Sequence, residues 1–266
     1  MLTDWWWAYL ALGAFVGFFS GLLGIGGGSA TVPVLAFIFA AKGFASDHLV
    51  HLALGTGIAS ILFTSAASVR SHHSRNAVNW RVLQHMAPGV LAGTFGGALL
   101  AGYLDVRVLS LAFTILIFYF ASQMLRAHTP VPSGALPRPA ILSAFGAVIG
   151  FISSLSATGG ASIVVPFLVK RNVSIHEAIG TAAAVGWPIA AAGTAGYIIG
   201  GLHRPELPQY CVGYVYLPAL AAVVVASVLL APVGARVAHR TQGNTLRKIF
   251  AVVLFALATT MLVKFL

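Results

Sequence analysis

Gly17-Phe-Phe-Ser20-Gly-Leu-Leu-Gly24-Ile-Gly26-Gly27-Gly28-Ser29-Ala-Thr31-Val-Pro33 lies inside the first apolar stretch of the chain. Each glycine inside a helix costs about 1 kcal/mol relative to alanine, so three in a row interrupt one. In lipid, a broken helix persists only where protein or a cavity covers the backbone groups it frees. An apolar segment interrupted here therefore faces the protein interior, towards a site.

The same pattern returns as Gly150-Phe-Ile-Ser153-Ser154-Leu-Ser156-Ala157-Thr158-Gly159-Gly160-Ala161-Ser162-Ile-Val-Val-Pro166. The offset is 133 residues, half of the 266-residue chain. His51–Thr56 (HLALGT) returns as His176–Thr181 (HEAIGT), 125 residues on. The match continues as Pro88 pairs with Pro218, and Leu109 and Phe113 pair with Leu246 and Phe250. A repeat on this scale means a duplicated chain.

Apolar residues make up 59% of the chain and charged residues 8%, where a soluble domain carries roughly 25% charged residues. With a mean hydropathy of +0.93 and several apolar runs of about 20 residues, the composition is that of an all-α polytopic membrane protein. The net charge of +10 is carried between apolar runs. That is the distribution of basic loops beside a bilayer, not of a nucleic-acid surface. A single cysteine, Cys211, excludes an internal disulfide and a cysteine metal cluster. No metal or cofactor is expected. Met1 to Trp7 has no basic n-region, so no cleavable signal peptide is read there. Trp5, Trp6 and Trp7 look like an interfacial anchor.

The first repeat (1–126) contains a broken helix over 5–41 and spans at 49–69, 82–104 and 108–125. A linker with four prolines covers 127–139. The second repeat (140–266) contains a broken helix over 140–169 and spans at 177–201, 211–235 and 249–265. If both broken blocks cross the membrane, eight spans with parallel repeats result, and Lys and Arg divide eight to seven between the faces. If both turn back as re-entrant hairpins, the division is eleven to four. The positive-inside rule selects the second arrangement. It leaves three full spans in each half, relates the halves by inversion, puts both termini outside and the linker in the cytoplasm. Inverted repeats with broken helices meeting near the midplane recur among transporters.

A helix that resumes after a glycine break offers unpaired N–H groups and the positive end of its dipole. Together these form an anion cradle. The candidate substrate-binding residues are Gly26, Gly27, Gly28, Ser29 and Thr31 in the first half and Gly159, Gly160 and Ser162 in the second. Thr56 and Thr181 join them by symmetry. Ser20, Ser153, Thr158, His51 and His176 form a second rank around them. Small residues at such positions also permit close helix packing, which is the competing explanation. Trp187-Pro188 kinks its span. His72 and His73 lie in the basic loop 70–81.

The five acids, Asp4, Asp47, Asp105, Glu177 and Glu206, all fall at span ends or in loops. A cation site or carboxylate proton relay needs acids inside the membrane; an anion site made of helix ends and hydroxyls does not. No Gly-x-Ser-x-Gly elbow and no His-Glu-x-x-His motif is present, so an enzyme is not expected. A transporter of a small anion is expected instead. A non-transporting membrane scaffold is the reading from a different class, and flux in proteoliposomes separates the two.

The segment GFFSGLLGIGGGSATVPVL and its weaker copy GFISSLSATGGASIVVPFL resemble the sulfite exporter TauE/SafE family of bacterial membrane proteins. HLALGT, HEAIGT and the closing LRKIFAVVL resemble it too, so the likeness covers nearly the whole chain. The resemblance implies a multi-pass permease of the bacterial cytoplasmic membrane that exports sulfite or a sulfonate such as sulfoacetate. Family members are described with seven or eight spans. The second copy departs from the pattern, with Ala161 in place of Gly28 and Ala157 in place of Gly24. An importer or exchanger of another small organic anion on the same scaffold is the alternative.

Overall fold

The structure, a computed structural model, describes residues 5–23, 28–126, 133–202, 204, 206–238 and 243–265. Gly24, Gly26 and Gly27 lie outside the described residues. Helix α1 (Trp6–Leu23) precedes the first break and α2 (Gly28–Ala41) follows it. After a 3₁₀ turn at Ser46–His48 come α3 (Leu49–His73), α4 (Trp80–Ala101) and α5 (Val106–Arg126). The second half repeats the order: α6 (Pro139–Ser156), a break, α7 (Ala161–Lys170), then α8 (Ile175–Gly201), α9 (Leu217–Ala238) and α10 (Gly243–Phe265). Five stretches, within α3, α5, α6, α8 and α9, are long and apolar enough to cross a membrane. The chain is a helical, polytopic membrane protein. Phe63, Ile115, Val148 and Leu229 expose large apolar side chains, as lipid contact demands.

In each half the helices on either side of the break touch at their far ends. Tyr9, near the start of α1, meets Phe39, near the end of α2, with ring centroids 6.4 Å apart. Lys42, just past α2, sits over the same Tyr9 ring. In the other half Phe145, early in α6, stacks on Phe167, late in α7, at 3.9 Å. Helix α7 has ten residues, about 15 Å or half a hydrocarbon core.

The two most extensive helix pairings are α4 with α6 and α1 with α9, equivalent positions in the two halves. Glycines spaced four apart make them close. A Cβ on Gly13 would come within 2.6 Å of the Val223 carbonyl, and one on Gly17 within 2.5 Å of Ser227. In the other pairing a Cβ on Gly146 or Gly150 would come within 2.5 Å of the Met86 or Val90 carbonyl. This is the small-xxx-small packing by which membrane helices approach one another without a hydrophobic driving force. Helices α3 and α8 cross at the centre in opposite directions: Gly193 faces Ile58 and Gly186 faces Ser65.

These contacts correct one alignment. Gly146 lies on Met86 where Gly13 lies on Val223, and Gly150 lies on Val90 where Gly17 lies on Ser227. Both place α9 137 residues after α4. Pro218 is therefore not the counterpart of Pro88. The prolines were matched as rare letters, whereas backbone contacts set the register.

A second correction concerns the span at 211–235. Cys211–Tyr216 forms a two-stranded hairpin, with Cys211 opposite Tyr216 and Val212 opposite Val215, and α9 starts only at Leu217. Val212, Tyr214, Val215 and Tyr216 favour strand. Gly213, with φ +55°, takes the first central position of the two-residue turn, where a type II′ hairpin needs glycine.

Candidate functional site

The second break is built by two left-handed residues. Ala157, φ +49°, ends α6, and Gly160, φ +74°, precedes α7. A side chain in this conformation is unfavourable by about 1–2 kcal/mol, which suits Gly160 and strains Ala157. Ser156 Oγ donates to the Ile152 carbonyl (2.9 Å) and lies 2.9 Å from Thr158 Oγ1. These hydroxyls finish the end of α6. Helix α7 then starts with Ala161 and Ser162, whose N–H groups have no place in the intrahelical ladder.

The start of α2 meets the second break. Gly28, the first residue of α2, lies so close to the Ala157 carbonyl that a Cβ there would strike it. The same Cβ would stand 2.6 Å from Ile61 Cδ1, at the middle of α3. On the other side, Gly160 faces Ile189 and Gly186 faces the Gly159 carbonyl, at the middle of α8. The start of α2 and the second break therefore both sit at the α3–α8 crossing.

Beside them lies a cavity of ≈ 50 Å³, room for roughly three or four waters or one compact ion. Among the described residues its wall comprises Ser20 of α1, Ile61, Thr64, Ser65 and Ser68 of α3, Gly159 and Ala161 at the second break, and Ala182, Ala183 and Gly186 of α8. No charged side chain is among them. A Cβ on Gly159 would meet nothing within 4 Å, so this glycine borders open space. The cavity is hydroxyl-rich on one wall and has a helix N-terminus on another.

The predicted residues divide. Gly28, Gly159 and Gly160 are brought together at the breaks, and Ser20 and Gly159 line the cavity. Ser29 and Thr31 are buried in the first turn of α2, and Ser162 is half-buried in the first turn of α7. None of the three lines the cavity. Ser153 Oγ is fully buried without a hydrogen-bond partner, 3.8 Å from where a Cβ on Gly160 would lie.

Thr56 and Thr181 stand elsewhere. Thr56 Oγ1 accepts the Tyr216 N–H (3.0 Å), just before α9. Thr181 Oγ1 accepts the Asn79 N–H (2.8 Å), just before α4. Gly55 and Gly180, the residues preceding them, abut the carbonyls of Tyr214 and Ala77. The repeated Gly-Thr is thus a clasp that holds the chain ahead of α4 and α9. The structure does not bring these threonines to the breaks.

The histidines have unequal places. His51 is buried, its Nε2 is 3.0 Å from the Ala101 carbonyl and 3.1 Å from the Leu104 carbonyl, and its ring stacks on Tyr214. It closes the end of α4. His176 is exposed in the first turn of α8. Asp47, Asp105 and Glu206 are exposed, and Glu177 accepts a 2.6 Å hydrogen bond from Asn79 Nδ2.

The sequence reading missed Thr64, Ser65 and Ser68. Their signal was legible: hydroxyls at i, i+1 and i+4 on one side of a largely apolar span. Thr64 and Ser65 donate only long bonds of 3.3 Å to carbonyls of their own helix.

The sequence model of the sulfite exporter TauE/SafE family matches residues 9–261. The chain belongs to this family. TauE/SafE-family membership places the protein among membrane transporters rather than enzymes. Among its relatives, a "probable membrane transporter protein" of Haemophilus influenzae is 32% identical over 258 residues, covering 96% of this chain and 97% of that one. Another of that description, from Methanocaldococcus jannaschii, is 26% identical over 267 residues, with 95% and 94% covered. A third, from Bacillus subtilis, is 26% identical over 194 residues, with 70% and 76% covered. No solved structure matches the chain.

Proposed function

We propose that this TauE/SafE-family transporter carries a small sulfur-containing anion, sulfite or an organosulfonate such as sulfoacetate, outward across the bacterial inner membrane by alternating access around the two breaks. One observation carries the reading: two interrupted helices meet at mid-molecule beside a hydroxyl-lined cavity with no charged side chain in its described wall. The N–H groups that open α7, with Ser20, Thr64, Ser65 and Ser68, replace the hydration an anion sheds. Carboxylates, which would repel it, are kept outside.

The proposed topology is two inverted repeats, each a re-entrant hairpin plus three spans, with both termini outside. Helix directions support it. Helices α3 and α8 occupy equivalent places and run antiparallel, as a twofold axis in the membrane plane requires. The ends of α2 and α10 meet where Lys264 sits over the Phe37 ring, while Ser133 of the linker donates to the Lys170 carbonyl at the end of α7. The face bearing the 74–79 loop and the linker gathers most of the Lys and Arg and is taken as cytoplasmic. With the cytoplasm negative, expelling one negative charge gains about 2.3 kcal/mol per 100 mV, so export needs no coupling ion.

The test is sulfite flux from proteoliposomes under an imposed potential. Accelerated efflux that Gly160→Leu abolishes, with the variant still inserted, supports the reading. No flux of sulfite, sulfoacetate or any anion in a counterflow panel contradicts it. A cysteine at Lys42 tests the topology: labelling only from the cytoplasmic face excludes the re-entrant arrangement.

A further inference from the structure

The described wall of the cavity takes α3 only from Ile61 to Ser68 and α8 only from Ala182 to Gly186, one side of their crossing, although the chain that forms it is duplicated. Mapping its wall through the repeats exposes the asymmetry. Ser20, Thr64, Ser68, Ala161 and Ala183 are half-exposed. Their counterparts, Ser153, Ile189, Gly193, Gly28 and Ile58, are all buried. The register is fixed by structure as well as by letters, because Thr56 and Thr181 make the same clasp in each half. The counterparts are not scattered. A Cβ on Gly193 would stand 2.8 Å from Ile58, and a Cβ on Gly57 would stand 3.0 Å from Val32. They form one closed seam on the far side of the α3–α8 crossing. Ile61 and Gly186 are each other's counterparts, so they belong to both sets and mark the common centre.

The seam also holds polar groups that nothing satisfies. Ser153 Oγ is buried without a partner, and so is Thr94 Oγ1, on a side chain whose methyl lies 3.2 Å from where a Cβ on Gly193 would be. A buried hydroxyl without a partner is unfavourable, and each one in a native structure calls for an explanation. The counterpart of Ser153, Ser20, already lines the open cavity.

We infer that the protein contains a second, mirrored vestibule, closed in this structure, which runs from the Ile61–Gly186 centre to the face opposite the 74–79 loop. Ser153, Ile58, Ile189, Ala190 and Gly193 line it. It rests on the transport reading above and gives that reading its other half. The mirrored wall is mostly aliphatic, with Ile189, Ala190 and Gly193 where the open wall has Thr64, Ser65 and Ser68. Ser153 is its chief polar contact for a small, compact anion. The α3–α8 crossing closes one vestibule as it opens the other.

The test uses the full-length protein in sealed vesicles, with Cys211→Ser as background and a membrane-impermeant thiol reagent applied to one face at a time. Ser20→Cys labels from the face of the 74–79 loop. Ser153→Cys and Ala190→Cys label only from the opposite face, roughly 10- to 1,000-fold more slowly, as a minor state populated at about 0.1–10% dictates. Reagent attached at Ala190→Cys wedges the mirrored vestibule open and abolishes labelling of Ser20→Cys in the double variant. Thiol titration after denaturation verifies that each variant is present. Should both seam cysteines stay unlabelled from the opposite face in vesicles that carry sulfite, the mirrored vestibule is excluded while transport stands. Seam labelling in vesicles that carry no sulfite supports the vestibule and removes sulfite as the cargo.

Discussion

Gly159→Ala separates a site from a packing device. Gly159 borders the cavity, a Cβ there meets nothing within 4 Å, and its φ is not left-handed. Alanine therefore fits, and by restricting the unfolded chain it stabilises the fold by about 0.4–1 kcal/mol. For a chain of this size that raises Tm by roughly 1–4 °C. The added methyl projects into a cavity of ≈ 50 Å³, in front of the N–H groups that open α7. It removes the room of about one of the three or four waters the cavity holds. Denying an anion one charge-assisted hydrogen bond is worth about 1.5–3 kcal/mol, a factor of roughly 10–150 in KM. The assay pairs a thermal-shift measurement with sulfite flux in proteoliposomes. A variant that melts no lower than wild type yet needs at least tenfold more substrate bears out the reasoning. Unchanged Tm with unchanged KM would place the substrate elsewhere.

Gly28→Ala should behave in the opposite way. Its Cβ strikes the Ala157 carbonyl, and such overpacking destabilises by about 1–3 kcal/mol, lowering Tm by roughly 2–12 °C. A wild-type melt would mean that the two breaks do not touch. Thr56→Val and Thr181→Val each strand a backbone N–H, that of Tyr216 or Asn79, for about 1–3 kcal/mol apiece. Both should lower Tm by similar amounts with KM unchanged, and a KM effect without a Tm effect would return them to the substrate site. Burial pushes the Cys211 thiol up to about 12. Because only the thiolate reacts, alkylation at pH 7 should be slow and should rise about tenfold per pH unit up to that value; fast labelling at neutral pH would show an unburied thiol.

Much of the fold was legible because the informative residues act locally. The pair Gly159–Gly160 stands at the break between α6 and α7, and α2 begins at Gly28. What the sequence concealed depends on distant partners. The α4–α9 register is set by Gly13, Gly17, Gly146 and Gly150 lying on backbones from the other half, and no single window of sequence holds both members of such a contact. Thr56 and Thr181 were drawn into the site by their repetition, yet what repeats is a structural clasp. A duplicated fold duplicates its fasteners as faithfully as its functional groups, so symmetry alone cannot tell them apart. The hydroxyl row Thr64, Ser65 and Ser68 escaped for the converse reason. Its counterparts are Ile189, Ala190 and Gly193, so a search for repeated letters passes over it. The hairpin at Cys211–Tyr216 was hidden inside an apolar run, where hydropathy does not distinguish strand from helix.

The most direct measurement is a crystal structure with selenite, a heavier analogue of sulfite, located by the anomalous signal of selenium. The account predicts one strong peak in the cavity between Gly159, Ala161, Ser65 and Gly186, within hydrogen-bonding reach of the N–H groups that open α7. Selenium found only on the basic loop 70–81, with the space between the two breaks empty at saturating selenite, would contradict it.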